Sequence, residues 1–202
     1  MSRTADDQAA ASDGRVRATA LPPDERRAGI VDATLALLLE TGATVTTRQI
    51  AEASGIAEGT IFRVFADKDA LYAAVADRVF DPEATLDAVE AIDLDQPLEG
   101  RLADAVEILQ RRVEMLWRFM TAVGMTKPPE RHQHKKGPDA PEIRALAALF
   151  APDADQLDRD PHTAAQLLRS LTLACSHPAL APDPPLSAGE IVTLLLDGMR
   201  RR

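Results

Sequence analysis

Two short helical segments separated by a tight turn are predicted in the stretch from Thr46 to Lys68. Thr46 and Gln49 have the spacing of a capping box, in which each side chain satisfies the backbone N–H of the other at the start of a helix. Gly55 follows the first segment, and glycine ends a helix readily because it adopts the left-handed conformation without strain. The second segment covers about residues 58–65. A helical corner of this kind is typical of the helix-turn-helix, whose second helix enters the major groove of DNA.

The order of residues in this stretch adds a more specific signal. A Gly-Thr-hydrophobic-aromatic sequence at residues 59–62 is followed by an aromatic residue three positions later and by a lysine three positions beyond that. This combination resembles the DNA-binding segment of the tetracycline-repressor (TetR-like) family of bacterial regulators. The residues that carry the resemblance are Thr47-Arg48, Ile50-Ala51, Gly55-Ile56, Gly59-Thr60-Ile61-Phe62, Phe65, Lys68 and Leu71-Tyr72.

The resemblance implies a set of residues that contact DNA. Arg48 is expected to reach a base edge, most naturally the O6 and N7 atoms of guanine, which match the fork of a guanidinium. Glu58 is expected either to accept a hydrogen bond from N4 of cytosine or to face solvent, and Lys68 is expected to pair with a phosphate. The full set of implied DNA contacts is Thr47, Arg48, Glu58, Gly59, Thr60, Phe62, Arg63 and Lys68.

Three positions depart from the usual pattern of the family. Ala57 stands where serine is common, so a helix cap and a phosphate contact are predicted to be missing. Phe62 replaces the usual tyrosine and lacks a hydroxyl for phosphate; the alternative is that its ring packs into the core. Val64 replaces a common tyrosine or histidine. These losses weaken the predicted contact with DNA and leave the predicted fold unchanged.

The charge of the chain limits how it binds DNA. Its formal net charge is −9, and residues 24–68 carry five Lys or Arg against seven Asp or Glu. A protein of this charge does not bind nucleic acid through bulk positive potential. Binding is therefore expected to depend on a few placed cations, with weak non-specific affinity and a shallow dependence on salt.

Helical periodicity continues through the rest of the chain and no segment alternates like a strand, so the predicted fold class is all-α. Residues 1–22 are interpreted as a disordered arm, whose arginines either enter the minor groove or belong to an untethered terminus. Residues 23–69 are interpreted as the helix-turn-helix DNA-binding domain, and residues 70–202 as the effector-binding and dimerisation domain. Prolines, a glycine and clustered Lys, Arg and His predict a long basic loop that includes residues 127–136.

The longest predicted helix runs from Pro97 to about Gly124 and becomes apolar almost all round near its end. A helix with apolar residues on every side is surrounded by protein. Two interpretations stand: the helix is a central core element, or its far end lines a cavity where Met and aromatic side chains adapt to a ligand. The residues assigned to this pocket are Met115, Trp117, Phe119, Met120, Leu146 and Phe150.

Two helices, predicted at 161–176 and 188–201, carry apolar faces larger than one small domain needs. The resemblance implies that they pair with their symmetry mates in the four-helix bundle of a homodimer. It also implies an unknown small-molecule effector that changes the spacing of the two DNA-binding domains in the dimer. The residues assigned to the dimer interface are Leu168, Leu171, Cys175, Ile191, Leu194 and Leu195.

Other functional classes have little support in the sequence. No nucleophile elbow, phosphate loop or metalloprotease motif is present, so an enzyme is not expected. Nothing in the sequence brings His132, His134, Cys175 and His177 together, so no metal and no other cofactor is predicted. The single cysteine, and the lack of a membrane-length apolar run or a secretory block, indicate a cytoplasmic protein without a membrane partner. The resemblance implies that the protein is bacterial.

The predicted function is that of a DNA-binding transcription regulator. Resemblance favours a ligand-responsive repressor that binds a palindromic operator in double-stranded DNA as a homodimer, and activation stays open. The alternative is a ligand-sensing or interaction protein of the same fold that has lost DNA binding. The acidic helix-turn-helix segment and the three departures from the family pattern favour that alternative.

Overall fold

The computed structural model describes residues 22–42, 45–132 and 140–199, and within these residues the chain is helical without a strand. The predicted all-α class is confirmed. Residues 1–21 of the interpreted N-terminal arm lie outside the described residues. The α-helices of the described part are α1 Pro23–Thr41, α2 Thr47–Ala53, α3 Glu58–Val64, α4 Lys68–Phe80, α5 Glu83–Glu90, α6 Leu98–Ala122, α7 Pro141–Ala148, α8 Pro161–Ser176 and α9 Ala188–Asp197. None of them combines the length and apolarity that a membrane crossing needs.

Local capping explains where several of these helices begin. Asp67, Asp160 and Ser187 are the N-caps of α4, α8 and α9, and the side chain of each accepts a hydrogen bond from a backbone N–H of the first turn. Glu190 completes a capping box with Ser187. Such caps satisfy N–H groups that have no partner inside the helix. They also place the helix starts within a residue or two of the positions that the sequence predicts.

The buried apolar residues form two clusters. The reader core joins α1 to α4 behind the helix-turn-helix, and the body core joins α5 to α9. The largest buried residues of the reader core are Ile30, Leu38, Ile50, Ile61, Phe65, Leu71 and Phe80, and those of the body core are Leu102, Ile143, Leu146, Leu149, Phe150, Leu157, Leu168 and Ile191.

Helix α6 belongs to both cores. Leu102 and Leu109, in its first half, lie in the body core. Phe119 and Met120, near its end, lie in the reader core, where the Phe119 ring packs edge-on against Phe80 with ring centroids 6.1 Å apart. Arg118 donates to the carbonyl of Leu39 in α1. The two helices that flank the helix-turn-helix, α1 and α4, therefore pack directly onto the end of α6.

A buried arginine ties the start of α6 to the far side of the body core. The side chain of Arg101 is 2% exposed. Its Nε donates to the carbonyl of Leu149 at 2.5 Å, one terminal nitrogen donates to the carbonyl of Gln96 at 2.8 Å, and the other pairs with the carboxylate of Asp153. Asp153 lies in the 3₁₀ turn Ala151–Gln156 that follows α7. The acidic segment after α7 thus supplies the counter-charge for a guanidinium inside the protein.

Candidate nucleic-acid interface

The corner between α2 and α3 is built by hydrogen bonds at both ends of α2. Thr46 and Gln49 form the predicted capping box: the Gln49 side chain accepts from the Thr46 N–H at 2.9 Å, and Thr46 Oγ1 accepts from the Gln49 N–H at 3.3 Å. Gly55 has a φ of 65°, and the N–H of Ile56 donates to the carbonyl of Ala51 at 3.0 Å, as in a Schellman motif. Because glycine adopts this φ without strain, Gly55 keeps the angle between the helices.

Helix α3 has a buried side and an exposed side. Ile61 and the residue that ends the helix, Phe65, are each 2% exposed, which confirms that they face inward together. On the other side, four of the predicted DNA contacts are exposed and Thr60 is half-buried. The exposed residues of this set on α3 are Glu58, Gly59, Phe62 and Arg63. The helix therefore presents its polar face to solvent, as a recognition helix must before DNA binds.

The start of α3 lacks a side-chain cap. Ala57 occupies the N-cap position and makes no side-chain hydrogen bond there, so the predicted loss of a cap is confirmed. Glu58 follows as the first helical residue, where the helix dipole favours a carboxylate. Val64 is half-buried against the reader core. The substitution at residue 64 therefore contributes apolar packing in place of a polar group.

Two predicted DNA contacts are engaged with carboxylates in the DNA-free protein. The hydroxyl of Thr47 donates to Glu58 Oε1, which joins the start of α2 to the start of α3. Arg48 Nε lies 3.1 Å from Glu52 Oε1, and both side chains are largely exposed. Exposed pairs of this kind contribute little to stability. The predicted DNA contacts of Thr47 and Arg48 require each residue to exchange its carboxylate for phosphate or base atoms, at a small cost.

The ring of Phe62 is 52% exposed. The hypothesis that this ring packs into the core is therefore wrong, because the inward positions of α3 are taken by Ile61 and, at its end, Phe65. An exposed phenylalanine on a recognition helix offers an apolar surface that suits the methyl group of thymine. Compared with the usual tyrosine, Phe62 therefore keeps an exposed ring and lacks only the hydroxyl.

Lys68 is the first residue of α4 and is half-buried. Its Nζ lies 5.1 Å from the centroid of the Tyr72 ring, an arrangement that holds the ammonium over the aromatic face. Asp67 caps the same helix by accepting from the N–H of Ala70 at 2.7 Å. Since this carboxylate already occupies the helix start, the predicted phosphate contact depends on the charge of Lys68.

The six residues assigned to a ligand pocket are spread over separate parts of the molecule. Four lie in the cores, Phe119 and Met120 in the reader core, Leu146 and Phe150 in the body core. Met115 lines a surface cleft beside α1 and α4. Trp117 packs against His177, with ring centroids 4.4 Å apart. The interpretation of the end of α6 as a core element therefore applies to Phe119 and Met120.

A different set of side chains lines a cavity of about 240 Å³ that opens to solvent beside Leu173. Leu109, Val113 and Leu116 of α6 contribute to its wall, and Arg112 lies among them. Sequence reasoning missed Arg112, although its spacing from these residues places a charge on the apolar stripe of an amphipathic helix. A cation at such a position is the signal by which the cavity was detectable from sequence.

Some of the residues assigned to the dimer interface are buried within the single chain, and others are partly or largely exposed. Leu168 and Ile191 are 0% exposed and Leu195 is 6% exposed in the isolated chain, because all three lie in the body core. Their assignment to the interface is therefore corrected: they contact their own chain. Leu171 and Cys175 are partly buried against the same core, whereas Leu194 is 56% exposed. The exposed apolar surface of the last two helices includes Leu194 of α9 and Leu167 and Leu173 of α8.

The histidines considered as metal ligands have other neighbours. His132 Nε2 lies 2.8 Å from Asp77 Oδ1, and its ring stacks on Phe80. His177 packs on Trp117 as described above, and His134 lies outside the described residues. His132 thus connects the segment after α6 to α4.

Comparison with known proteins adds to this geometry. Residues 30–75 match the model for bacterial regulatory proteins of the tetR family. No curated protein matches the chain. Several solved structures have a similar fold, although at 20–23% identity this likeness concerns the fold alone.

Three of these structures are regulators of the TetR type or efflux repressors. NalD, the secondary repressor of a multidrug efflux pump in Pseudomonas aeruginosa, is 23% identical, with 88% of this chain and 98% of NalD covered and a TM-score of 0.51. SmeT bound to triclosan is 20% identical, with 88% and 92% covered and a TM-score of 0.53; SmeT represses an efflux pump of Stenotrophomonas maltophilia. A TetR regulator from Streptomyces coelicolor is 21% identical, with 86% and 98% covered and a TM-score of 0.53.

Proposed function

We propose that this chain, which is TetR-like in its helix-turn-helix segment and in its overall fold, is a ligand-responsive repressor that binds a palindromic operator as a homodimer. The observation that carries the proposal is the exposed face of α3, with Arg48 of α2 exposed beside it. Behind this face, the buried side chains of α3 pack into the reader core. A face held in this way by buried apolar residues is preorganised for the major groove.

The charge distribution supports recognition through a few contacts. The cations among the predicted contacts are Arg48, Arg63 and Lys68, while the whole chain has a net charge of −9. Repulsion between the acidic chain and phosphate disfavours binding to arbitrary DNA, so that affinity depends on the placed cations. Specificity then comes from the base edges that Arg48 and the exposed side chains of α3 reach.

The fold also supports a response to a small molecule. The cavity beside Leu173 is lined by Phe80 at the end of α4 and by the middle of α6. Phe80 is at the same time a reader-core residue, and α4 follows α3 after a short connection. A ligand that shifts the end of α4 therefore shifts the helix-turn-helix. The relatives NalD and SmeT are efflux-pump repressors, and SmeT binds triclosan, which favours repression relieved by a ligand for this chain.

Dimerisation is proposed through α8 and α9. Leu167 and Leu194 are 42% and 56% exposed in the single chain. Both lie on helices whose opposite sides are buried in the body core, so a partner covers the remaining apolar side. A twofold dimer uses the same surface on both copies and places two recognition helices on one face of the DNA.

The proposal is tested by fluorescence anisotropy with DNA that flanks the gene for this chain, against a shuffled duplex of the same length. Binding to the flanking DNA with two protomers per site is expected. The second candidate is a protein of the same fold that has lost DNA binding. It is favoured by the carboxylates of Glu52 and Glu58, which hold Arg48 and Thr47 in the free protein. The absence of any complex at low salt would establish this candidate instead.

Replacing Arg48 with Ala is expected to weaken operator binding by about 1–3 kcal/mol and to relax the preference at one base pair of each half-site. The physical reason is the loss of the two-donor fit between a guanidinium and guanine. The measurement is anisotropy over a set of operators that differ at single base pairs. Glu52→Gln is the matched control, because it breaks the same exposed ion pair and leaves the guanidinium in place. An equal loss for Arg48→Ala on operator and shuffled DNA would reduce Arg48 to a phosphate contact.

Replacing Lys68 with Ala is expected to weaken binding to all sequences alike and to reduce the slope of log affinity against log salt by about one. The reason is that a single phosphate contact releases about one counterion. The measurement is a salt titration of the wild type and the variant on the same duplex. Lys127→Ala, at an exposed lysine after α6, is the control and should leave the slope unchanged. A slope that does not change in Lys68→Ala would remove this residue from the interface.

A further inference from the structure

The cavity beside Leu173 has the composition of a site for a small molecule. Its apolar wall comes from α4, α5 and α6, including Phe80, Leu86 and Leu116. Leu173 of α8 also lines it and is 49% exposed, so the cavity opens to solvent beside this residue. Ligand sites typically combine such a wall with a small number of placed polar groups. The polar groups of this wall therefore indicate which ligand it accepts.

Two polar groups on the wall lack a hydrogen-bond partner in the described part of the chain. The hydroxyl of Thr172 is buried and makes no hydrogen bond, and the residue is only 1% exposed. The guanidinium of Arg112 is partly buried and makes neither a hydrogen bond nor an ion pair with a described residue. Burying polar or charged groups without partners costs free energy. A ligand that supplies acceptors to both groups recovers this cost, provided that the wall shifts enough to uncover the buried hydroxyl oxygen of Thr172.

The other charged groups on the wall are already engaged. Arg169 Nη1 lies 3.8 Å from Glu142 Oε2, and His132 bonds Asp77. The lining therefore carries two arginines against one glutamate. Burial lowers the pKa of the Arg112 guanidinium, and the charges of Glu142 and Asp81 oppose this shift. Because arginine stays protonated at neutral pH, the lining itself keeps a net positive charge, which Asp81 partly offsets from outside the lining.

We propose that this cavity binds a compact apolar carboxylic acid in its ionised form, with the carboxylate accepting hydrogen bonds from the guanidinium of Arg112 and the hydroxyl of Thr172. The fork of a guanidinium matches the two oxygens of a carboxylate, and such charge-assisted bonds are stronger than neutral ones. An amide brings no negative charge to Arg112, and an amine is repelled by it. Only the regulatory consequence of binding rests on the proposed function.

The volume of the cavity limits the size of the acid. A cavity of about 150 Å³ holds benzene, and the volume here is about 240 Å³. The space therefore suits one aromatic ring with a short substituent, or a branched alkyl chain of similar bulk. A polycyclic ligand requires the wall to move.

The test compares matched probes on the full chain by isothermal titration calorimetry. The acids are benzoate, phenylacetate and 3-methylbutanoate, and the matched neutral and cationic probes are benzamide and benzylamine. At least one acid is expected to bind at least about tenfold more tightly than the amide, because a hydrogen bond to a charged group is worth more than one to a neutral group. No binding is expected for the amine. The inference is overturned if the amide or amine binds as tightly as the acids, or if no acid binds at millimolar concentration.

Two variants assign the preference to residues. Arg112→Met is expected to remove the preference for acid over amide, whereas Arg111→Met, at the exposed neighbouring arginine, should keep it. Thr172→Val is expected to raise the melting temperature of the ligand-free protein, because it removes an unmatched hydroxyl, and to weaken acid binding several-fold. If Arg112→Met does not fold, Thr172→Val still tests the inference, because a higher melting temperature together with weaker acid binding is expected only if the hydroxyl contacts the ligand. Unchanged acid binding in Thr172→Val with unchanged preference in Arg112→Met would overturn it.

Operator binding measured without any ligand separates the two proposals. An acid that binds with the expected preference supports the ligand class, even if the protein–DNA complex stays intact. A protein–DNA complex that stays intact with the acid bound would contradict only the ligand-responsive part of the proposed function. Conversely, equal binding of acid and amide overturns the ligand class and leaves operator binding untouched.

Discussion

Replacing Leu194 with Glu is expected to convert the proposed dimer into a folded monomer and to abolish operator binding at concentrations where the wild type binds fully. Leu194 is 56% exposed in the single chain, so the substitution leaves the body core intact. In a twofold dimer it buries a carboxylate from each protomer without a partner, which costs about 3–5 kcal/mol. The monomer then has one recognition helix and contacts only one half-site. Sedimentation velocity gives the oligomeric state, and anisotropy on the same samples gives operator affinity.

Two other leucines provide the controls for this experiment. Leu94→Glu introduces the same charge at an exposed leucine between α5 and α6 and should leave both the dimer and operator binding unchanged. Leu195→Glu places the charge in the body core and should unfold the chain. A wild type that sediments as a monomer at micromolar concentration, or a dimeric Leu194→Glu variant, would refute the proposed interface.

Replacing Arg101 with Ala is expected to lower the free energy of unfolding by about 3–5 kcal/mol, a large part of the stability of a typical domain. The variant leaves the carbonyl of Leu149 without its donor and Asp153 without its counter-charge, and it opens a cavity in a site that is 2% exposed. Urea denaturation followed by circular dichroism measures the change.

Arg111→Ala is the matched control, because it removes an arginine from the same helix at an exposed position. Arg111 pairs with Glu107 at 3.5 Å, and both side chains are largely exposed. Its replacement is expected to change the free energy of unfolding by no more than about 0.5 kcal/mol. Equal effects for the two variants would mean that water reaches the Arg101 guanidinium in solution.

The helix-turn-helix was predictable because its determinants are local. Thr46 and Gln49 form the capping box that their spacing predicts, and Gly55 takes the positive φ that ends α2. Ile61 and Phe65 face inward together, as their spacing of four residues requires. Each of these features depends on residues within one or two helical turns. The start of α9 was predicted from Ser187 and Glu190 for the same reason.

The cavity and the division of apolar faces were not predictable in the same way. Leu167 and Leu168 are neighbours on α8, but only contacts with α6 and α7 decide that Leu168 is buried in the chain and Leu167 is exposed. Phe119 and Met120 suggested a ligand site because they are adaptable apolar residues, yet they pack into the reader core. Helical spacing identifies apolar faces, whereas the partner of each face depends on residues far apart in sequence.

The packing of Phe119 and Met120 into the reader core has a consequence for protein engineering. A chimera that takes only residues 23–69 from a relative would set a foreign surface against this end of α6 and against the buried side of α4. Side chains whose volumes do not match across this contact lower the stability of the chimera, whether they leave cavities or overfill the space. Operator specificity is therefore transplanted most safely by changing only outward residues of α2 and α3, or by moving the segment together with α4 and the last turns of α6. In this fold the helix-turn-helix segment cannot be exchanged independently of α4 and the end of α6.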